Sequence, residues 1–252
     1  MIVLGADDPL AVEATQSVQG GDVDRLVQLL REHPSLANAR IGAFPDGMSR
    51  TLLHAATDWP GHFPSNAQVV QLLIDAGADV NARFTGPHTE TPLHWAASSD
   101  DVSVIDVLLD NGADIEAPGA VIGGGTPLAD ATAFGQWNAA RRLIERGARS
   151  TLFESATLGL IDRIEPLFEA DRPPATDEVT AAFWGACHGG QRATAEYLLA
   201  RGADCDWVSR WDSTTPLDAA RRSEAADVVD WLLSLGAGSA SRTVVVPHQE
   251  HD

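Results

Sequence analysis

The feature that most constrains this chain is a short phrase that returns along its length. Thr91-Pro-Leu-His-Trp-Ala-Ala97, Thr126-Pro-Leu-Ala-Asp-Ala-Thr132 and Thr215-Pro-Leu-Asp-Ala-Ala-Arg221 state one theme, and Thr51-Leu-Leu-His-Ala-Ala-Thr57 is a fourth copy. Each leads into a second apolar stretch at helical spacing: residues 69–74, 104–109, 139–144 and 228–233. Glycines close these stretches at Gly77, Gly112, Gly147, Gly202 and Gly236, where a chain leaving a helix needs the left-handed conformation that a residue without Cβ adopts freely. Gly77, Gly112 and Gly147 are 35 residues apart, and Gly202 and Gly236 are 34 apart. A period of that length means stacked supersecondary units, none of which can bury its apolar face alone. The gap of 55 residues from Gly147 to Gly202 predicts an irregular copy, which fits Leu152 to Phe168 and leaves no room for a hairpin after Gly147-Ala-Arg149. Pro9 to Arg40 carries a helix pair without the opening phrase and reads as an N-terminal cap.

The phrase has a physical logic. Thr caps the inner helix, Pro fills the first helical position where no N–H is required, and Leu and Ala pack on the neighbouring unit. Gly77-Ala-Asp-Val-Asn-Ala-Arg83 followed by Thr91-Pro-Leu-His94 resembles the ankyrin-repeat consensus. With several copies in register, the chain is similar to the ankyrin-repeat family in its bacterial-type form. The resemblance implies an all-α ankyrin-repeat solenoid of about seven helix-turn-helix repeats with extended hairpin fingers. It places repeats at about 9–40, 50–83, 91–118, 126–149, 150–172, 180–208 and 215–238, in a single domain over 1–238, with a flexible tail at 239–252. It further implies a concave groove of inner helices and fingers that recognises a protein or peptide. His54 and His94, fourth in the phrase, are implied to hydrogen-bond between fingers. The family specifies a scaffold and no single activity.

Charge narrows the partners. Lys+Arg 17 against Asp+Glu 36 leaves a net charge of -19, which repels phosphate backbones and anionic lipid, so neither nucleic acid nor a membrane is expected as a partner. Cys187 and Cys205 are too few for a disulfide framework. The start of the chain has no basic segment of the secretory kind and no apolar run approaches roughly 18 residues, so a soluble, cytoplasmic protein is expected. Metal-binding spacings are absent from the sequence, no Gly-x-Ser-x-Gly elbow occurs, and Gly123-Gly-Gly125 is not followed by Gly-Lys-Ser/Thr. Neither a metal nor a cofactor is expected.

Candidate site residues come from departures from a plain scaffold. The fingers Phe84 to Glu90 and Gly119 to Gly125 are about two residues longer than the consensus implies. Asp58-Trp-Pro-Gly-His-Phe-Pro64 is inserted between two helices and offers Trp59, His62 and Phe63 as a wall. The concave ends of the inner helices carry Asp58 and Trp59, Ser98 and Ser99, Ala133 and Phe134, His188 and Gly189, and Arg222 and Ser223. Phe84, His88, Gln136, Trp137, Trp184, Gln191, Arg192 and Trp211 join them as binding candidates, with Trp207 and Trp211 flanking a finger tip. Trp95, Trp231 and Cys187 read as packing residues. Such a mixture suits either a small-molecule site or a protein interface.

Asp130 stands where the aligned copy has Trp95. A carboxylate among packing positions needs hydrogen-bond partners or a wet groove, and otherwise its pKa rises. Two readings are open: Asp130 ties a neighbouring finger such as Gly123-Gly-Gly125, or it is a general base or ligand anchor, with His88 and His188 as the other ionisable groups. Two functions follow. The chain is a protein-binding scaffold without chemistry, or an enzyme or small-molecule binder walled by Trp59, Phe134, Trp137 and Trp184. An enclosed pocket of roughly 300 Å³ or more on which Asp130 and a histidine converge would favour the second; an open face would favour the first.

Overall fold

The computed structural model describes residues 2–43 and 47–240, so that most of the expected tail lies outside the described residues. Among them, fourteen α-helices follow one another in pairs and divide between two compact units, 1–150 and 151–252.

The first unit holds α1 (Pro9–Gly20), α2 (Val23–Glu32), α3 (Leu52–Thr57), α4 (Asn66–Asp75), α5 (Pro92–Ser98), α6 (Val102–Asp110), α7 (Pro127–Ala133) and α8 (Trp137–Glu145). The inner helices α1, α3, α5 and α7 pack in series, as do the outer helices α2, α4, α6 and α8. Leu53, Leu73, Leu93, Leu108, Leu128 and Leu143 are fully buried between them, each worth roughly 1.5–3 kcal/mol of transfer free energy. The repeated phrase does what its chemistry predicts. Thr51 and Thr91 are the N-caps of α3 and α5, Pro92 and Pro127 open α5 and α7, and Gly77, Gly112 and Gly147 take φ of 91°, 87° and 99°.

Between pairs the backbone is stitched by asparagines. The Asn38 side chain donates to Gly77 O (2.6 Å) and accepts from Asp79 N (2.8 Å); Asn81 repeats this one unit on with Gly112 O (3.1 Å) and Asp114 N (2.8 Å). Both groups of one amide are used, which an ionised Asp, an acceptor only, could not do. Asn81→Ala is expected to lower stability by about 1 kcal/mol, read as a shift of the urea midpoint at constant m. An unmoved midpoint would mean that water replaces the stitch at no cost.

One element departs from an all-helical expectation. Residues before α1 form β1 (Val3–Gly5), which pairs in parallel with β2 (Arg40–Ala43); β2 pairs antiparallel with β3 (Met48–Arg50). The first finger is thus a hairpin widened by the start of the chain, whose Val3-Leu4 is β-prone. Ser49 bridges on to Thr85 of the next finger.

The second unit holds α9 (Leu152–Thr157), α10 (Ile161–Glu169), α11 (Thr176–His188), α12 (Arg192–Leu199), α13 (Pro216–Arg222) and α14 (Ala226–Ser234). The irregular copy keeps the cap with a different residue: Glu154, at the histidine position, accepts from Thr151 N (2.7 Å) and Thr151 Oγ1 (2.9 Å). Phe183, Ile164, Val179, Leu198, Leu217 and Leu232 form the core. Helices α9 and α11 approach through glycine. A Cβ on Gly189 would lie 1.8 Å from Thr157 O, and one on Gly185 would lie 2.6 Å from Thr157 Oγ1.

Candidate functional site

In the first unit the fingers and inner helices meet at an aromatic cluster. His54 contacts Trp95 edge-on at 5.0 Å between ring centroids, and Phe84 lies 5.5 Å from Trp95. The histidine is held by its two nitrogens. Nδ1 accepts from Thr51 N (3.4 Å) and sits 2.9 Å from Thr51 Oγ1, so the ring proton is on Nε2, which donates to Glu90 O at 3.2 Å. His94 repeats the arrangement with Thr91 and with Gly125 O (3.3 Å). These are the bonds between fingers that the resemblance implied. Burial pushes His54 down to about 3 and His94 down to about 4, so neither carries charge at neutral pH.

Two carboxyl groups lie behind this wall. Glu90 is buried, and burial raises its pKa against the opposing pull of the Trp95 indole N–H. Asp130 is fully buried and neither of its oxygens makes a well-formed hydrogen bond. Burial, reinforced by the nearby Glu90 charge, pushes it up to about 7; the backbone N–H groups of Val121 and Ile122 face it in looser geometry and pull the other way. The expected tie to Gly123-Gly-Gly125 is therefore corrected. The donors Asp130 faces belong to residues 121 and 122 of the same finger, because Gly124 N already donates to Ala120 O (3.1 Å) and Gly125 N to Ile122 O (3.2 Å).

A cavity of about 440 Å³ opens on the same wall, lined by Phe84 and Trp95, by Ala6, Val12, Thr15 and Gln16 at and before α1, and by Ile41, Gly42, Met48, Ser49 and Arg50 of the widened finger. It has the volume of a small-molecule site, but neither Asp130 nor any histidine lines it. The pocket and the ionisable residues that the sequence joined in one hypothesis are in different places. Asp130 and His88 belong to the first unit and His188 to the second, where its Nδ1 sits 2.8 Å from Ser223 Oγ.

The remaining candidates sort by what they touch. Ser98 Oγ donates to His94 O (2.9 Å) and Ser99 Oγ to Thr57 O (3.3 Å), so both hydroxyls are spent on the scaffold. Asp58 pairs with Arg50 and accepts from Trp59 N (2.9 Å). Trp59 is 77% exposed; His62 is exposed and its backbone N–H donates to Asp101 (3.1 Å). Phe134 is exposed, whereas His88, Gln136 and Trp137 are half-buried. Gln191 donates to Gly189 O (2.8 Å), and Arg192 pairs with Glu196 (2.9 Å). Cys187 is buried and burial pushes its thiol up, which leaves it inert.

The second unit carries an aromatic cluster of its own. Trp184, almost fully buried, stacks near Phe153 (6.3 Å) and meets Trp211 edge-on (5.1 Å); Trp211 also contacts Phe153 (5.9 Å) and Trp207 (5.3 Å). Trp211 is nonetheless 54% exposed. Its finger is made rigid by Asp212, which accepts from Thr214 Oγ1 (2.8 Å), Ser209 Oγ and Arg222 (2.7 Å). Arg222 lies 5.6 Å from the Trp184 ring centre.

Sequence reasoning missed Glu90, Arg50 and Gln16. A signal was present for two of them. Arg50, Glu90, Gly125, Ser150 and Thr214 each immediately precede an opening Thr, and the two ionisable ones in that series are the two that line or back the pocket.

Comparison with known proteins agrees with the geometry. Residues 66–154 match a model of ankyrin repeats in three copies. The chain is 29% identical over 186 residues to the "Ankyrin repeat and KH domain-containing protein CBG24701" of Caenorhabditis briggsae, a match that takes in 70% of this chain but only 7% of that protein's length. It is 25% identical to the crystal structure of the human ASB11 ankyrin repeat domain, covering 75% of this chain and 71% of that one at a TM-score of 0.42. The matched copies over residues 66–154, the threonine caps and the histidine clasps between fingers together show that this chain carries ankyrin repeats.

Proposed function

We propose that the chain is a binding scaffold for a protein or peptide partner, and that Trp211 is the anchor of one contact surface. Ankyrin repeats are in general protein-interaction scaffolds. The observation that carries the finer reading is an exposed indole held still. Trp211 offers half its surface to solvent while three aromatic rings support it from behind. Rigid aromatic side chains bind with little further loss of conformational entropy and dominate contact energetics. Val208, also exposed, extends the apolar surface, and Arg222 and Asp212 give it a polar rim.

The test is selection of binding peptides from a displayed library on the full chain, followed by affinity measurement by fluorescence polarisation. Trp211→Ala is expected to weaken the selected peptides about thirty-fold or more, the loss ordinary for a hot-spot tryptophan. Trp59→Ala, in the other unit, is expected to change affinity less than about two-fold. Peptides that bind Trp211→Ala as well as wild type would remove this surface from the function.

A further inference from the structure

We propose that the 440 Å³ cavity of the first unit binds a small organic monoanion, a carboxylate borne on a flat apolar body. The inference is independent of the peptide surface in the second unit. It begins with the walls. Trp95 and Phe84 form one side; Val12, Ile41, Met48 and Ala6 supply aliphatic and thioether surface on the others. A cavity of this size falls in the range of roughly 300–1,000 Å³ typical of small-molecule sites, and a flat ring set between Trp95 and Met48 would gain both burial and ring contact. The Trp95 wall is held in orientation by ring contacts with His54 (5.0 Å) and Phe84 (5.5 Å).

Charge selects the ligand class. Among the described residues, Arg50 is the one charged residue lining the cavity. The neighbouring Arg40 spends its guanidinium on protein acceptors: Nε on Ser49 Oγ (3.1 Å), Nη1 on Arg83 O (2.6 Å), and Nη2 on Ser49 O (2.8 Å) and Thr85 Oγ1. Arg50 gives only Nη1 to Asp58. Its Nε and Nη2, the edge that matches a carboxylate with two parallel hydrogen bonds, has no acceptor among the described residues. Thr15, Gln16 and Ser49 complete the polar lining and can orient the second face of the carboxylate. A single negative charge fits better than two, because Asp58 already balances part of the guanidinium and the chain as a whole carries -19. The cavity exists because the start of the chain folds back as β1: Ala6 N donates to Gly42 O (2.8 Å), and residue 6 thereby becomes part of the lining.

The experiment uses the full chain and three probes, benzoate, phenylacetate and indole-3-acetate, each against its neutral amide, followed by amide chemical shifts in two-dimensional NMR. The expected result is saturable binding of at least one carboxylate, about ten-fold tighter than its amide, with shifts centred on Val12, Gln16, Ser49 and Trp95. Arg50→Gln is expected to abolish the ten-fold preference while leaving the weak amide binding in place. Val12→Trp, at a solvent-exposed position on the rim, is expected to fill the cavity and remove both. Absence of binding by all three carboxylates to the folded wild type, equal affinity for acid and amide, or an Arg50→Gln variant that keeps the preference would each overturn the proposal. Shifts confined to Trp211 and its neighbours would overturn it as well, since the probes would then be occupying the second unit's surface.

Discussion

Between pH 4 and pH 8 the Asp130→Asn variant is expected to gain about 4 kcal/mol of stability relative to wild type. The reasoning starts from burial: Asp130 is fully buried without a well-formed hydrogen bond, and its carboxyl is pushed from 3.8 up to about 7. In the window between those values the folded chain holds a proton that the unfolded chain has released, so wild-type stability falls as pH rises. The penalty is absent below the unfolded value, grows through the window, and is complete above pH 7. Three units of displacement correspond to about 4 kcal/mol. Asparagine fills the same volume and cannot ionise, so the variant lacks this slope, whatever other groups contribute to both proteins. Urea unfolding of the two proteins at intervals from pH 4 to pH 8 measures the difference directly. Parallel profiles would show that Asp130 is solvated or paired in solution, and would end the description of it as an isolated buried acid.

Gly189→Ala is expected to cost about 3 kcal/mol, against the direction of intrinsic propensity. Gly189 follows the last turn of α11 at φ −79°, a conformation in which alanine is at ease, and removing glycine from a helical conformation ordinarily helps by about 1 kcal/mol. The opposing effect is larger. The new methyl would stand 1.8 Å from the backbone oxygen of Thr157, and a backbone carbonyl cannot rotate aside as a side chain can. Helices α9 and α11 must separate, which places the substitution at the upper end of overpacking costs. The urea midpoint reads the effect. A stabilised Gly189→Ala would mean that propensity outweighs the contact, and that α9 has room to move.

Much of the fold was legible because it repeats. The phrase from Thr91 to Ala97 specifies a cap, a first-turn proline and a packing face in seven residues, and each later copy confirms the register. The terminal strand was not legible, since Val3-Leu4-Gly5 has no periodicity of its own and pairs with a segment far along the chain. The cavity was missed for the same reason: it joins residues from 6–16, 41–42, 48–50 and 84–95, and only the folded chain shows that they meet. Asp130 stood out in the sequence by its position, but its environment depends on Glu90, which nothing in a linear reading sets beside it. Ser98 and Ser99 illustrate the opposite error. Their place at a helix end suggested ligand contacts, yet each hydroxyl turns back to a main-chain carbonyl.

The two imidazole clasps set a tolerance for the first unit. A proton added to Nδ1 of His54 or His94 would point at the N–H of Thr51 or Thr91, donor against donor, and the ring would have to let go of its threonine. With values near 3 and 4, that release waits for conditions far more acidic than any ordinary histidine would withstand. Adjacent fingers therefore keep their spacing through mild acidification, and whatever they hold is not dropped when the surroundings turn slightly sour.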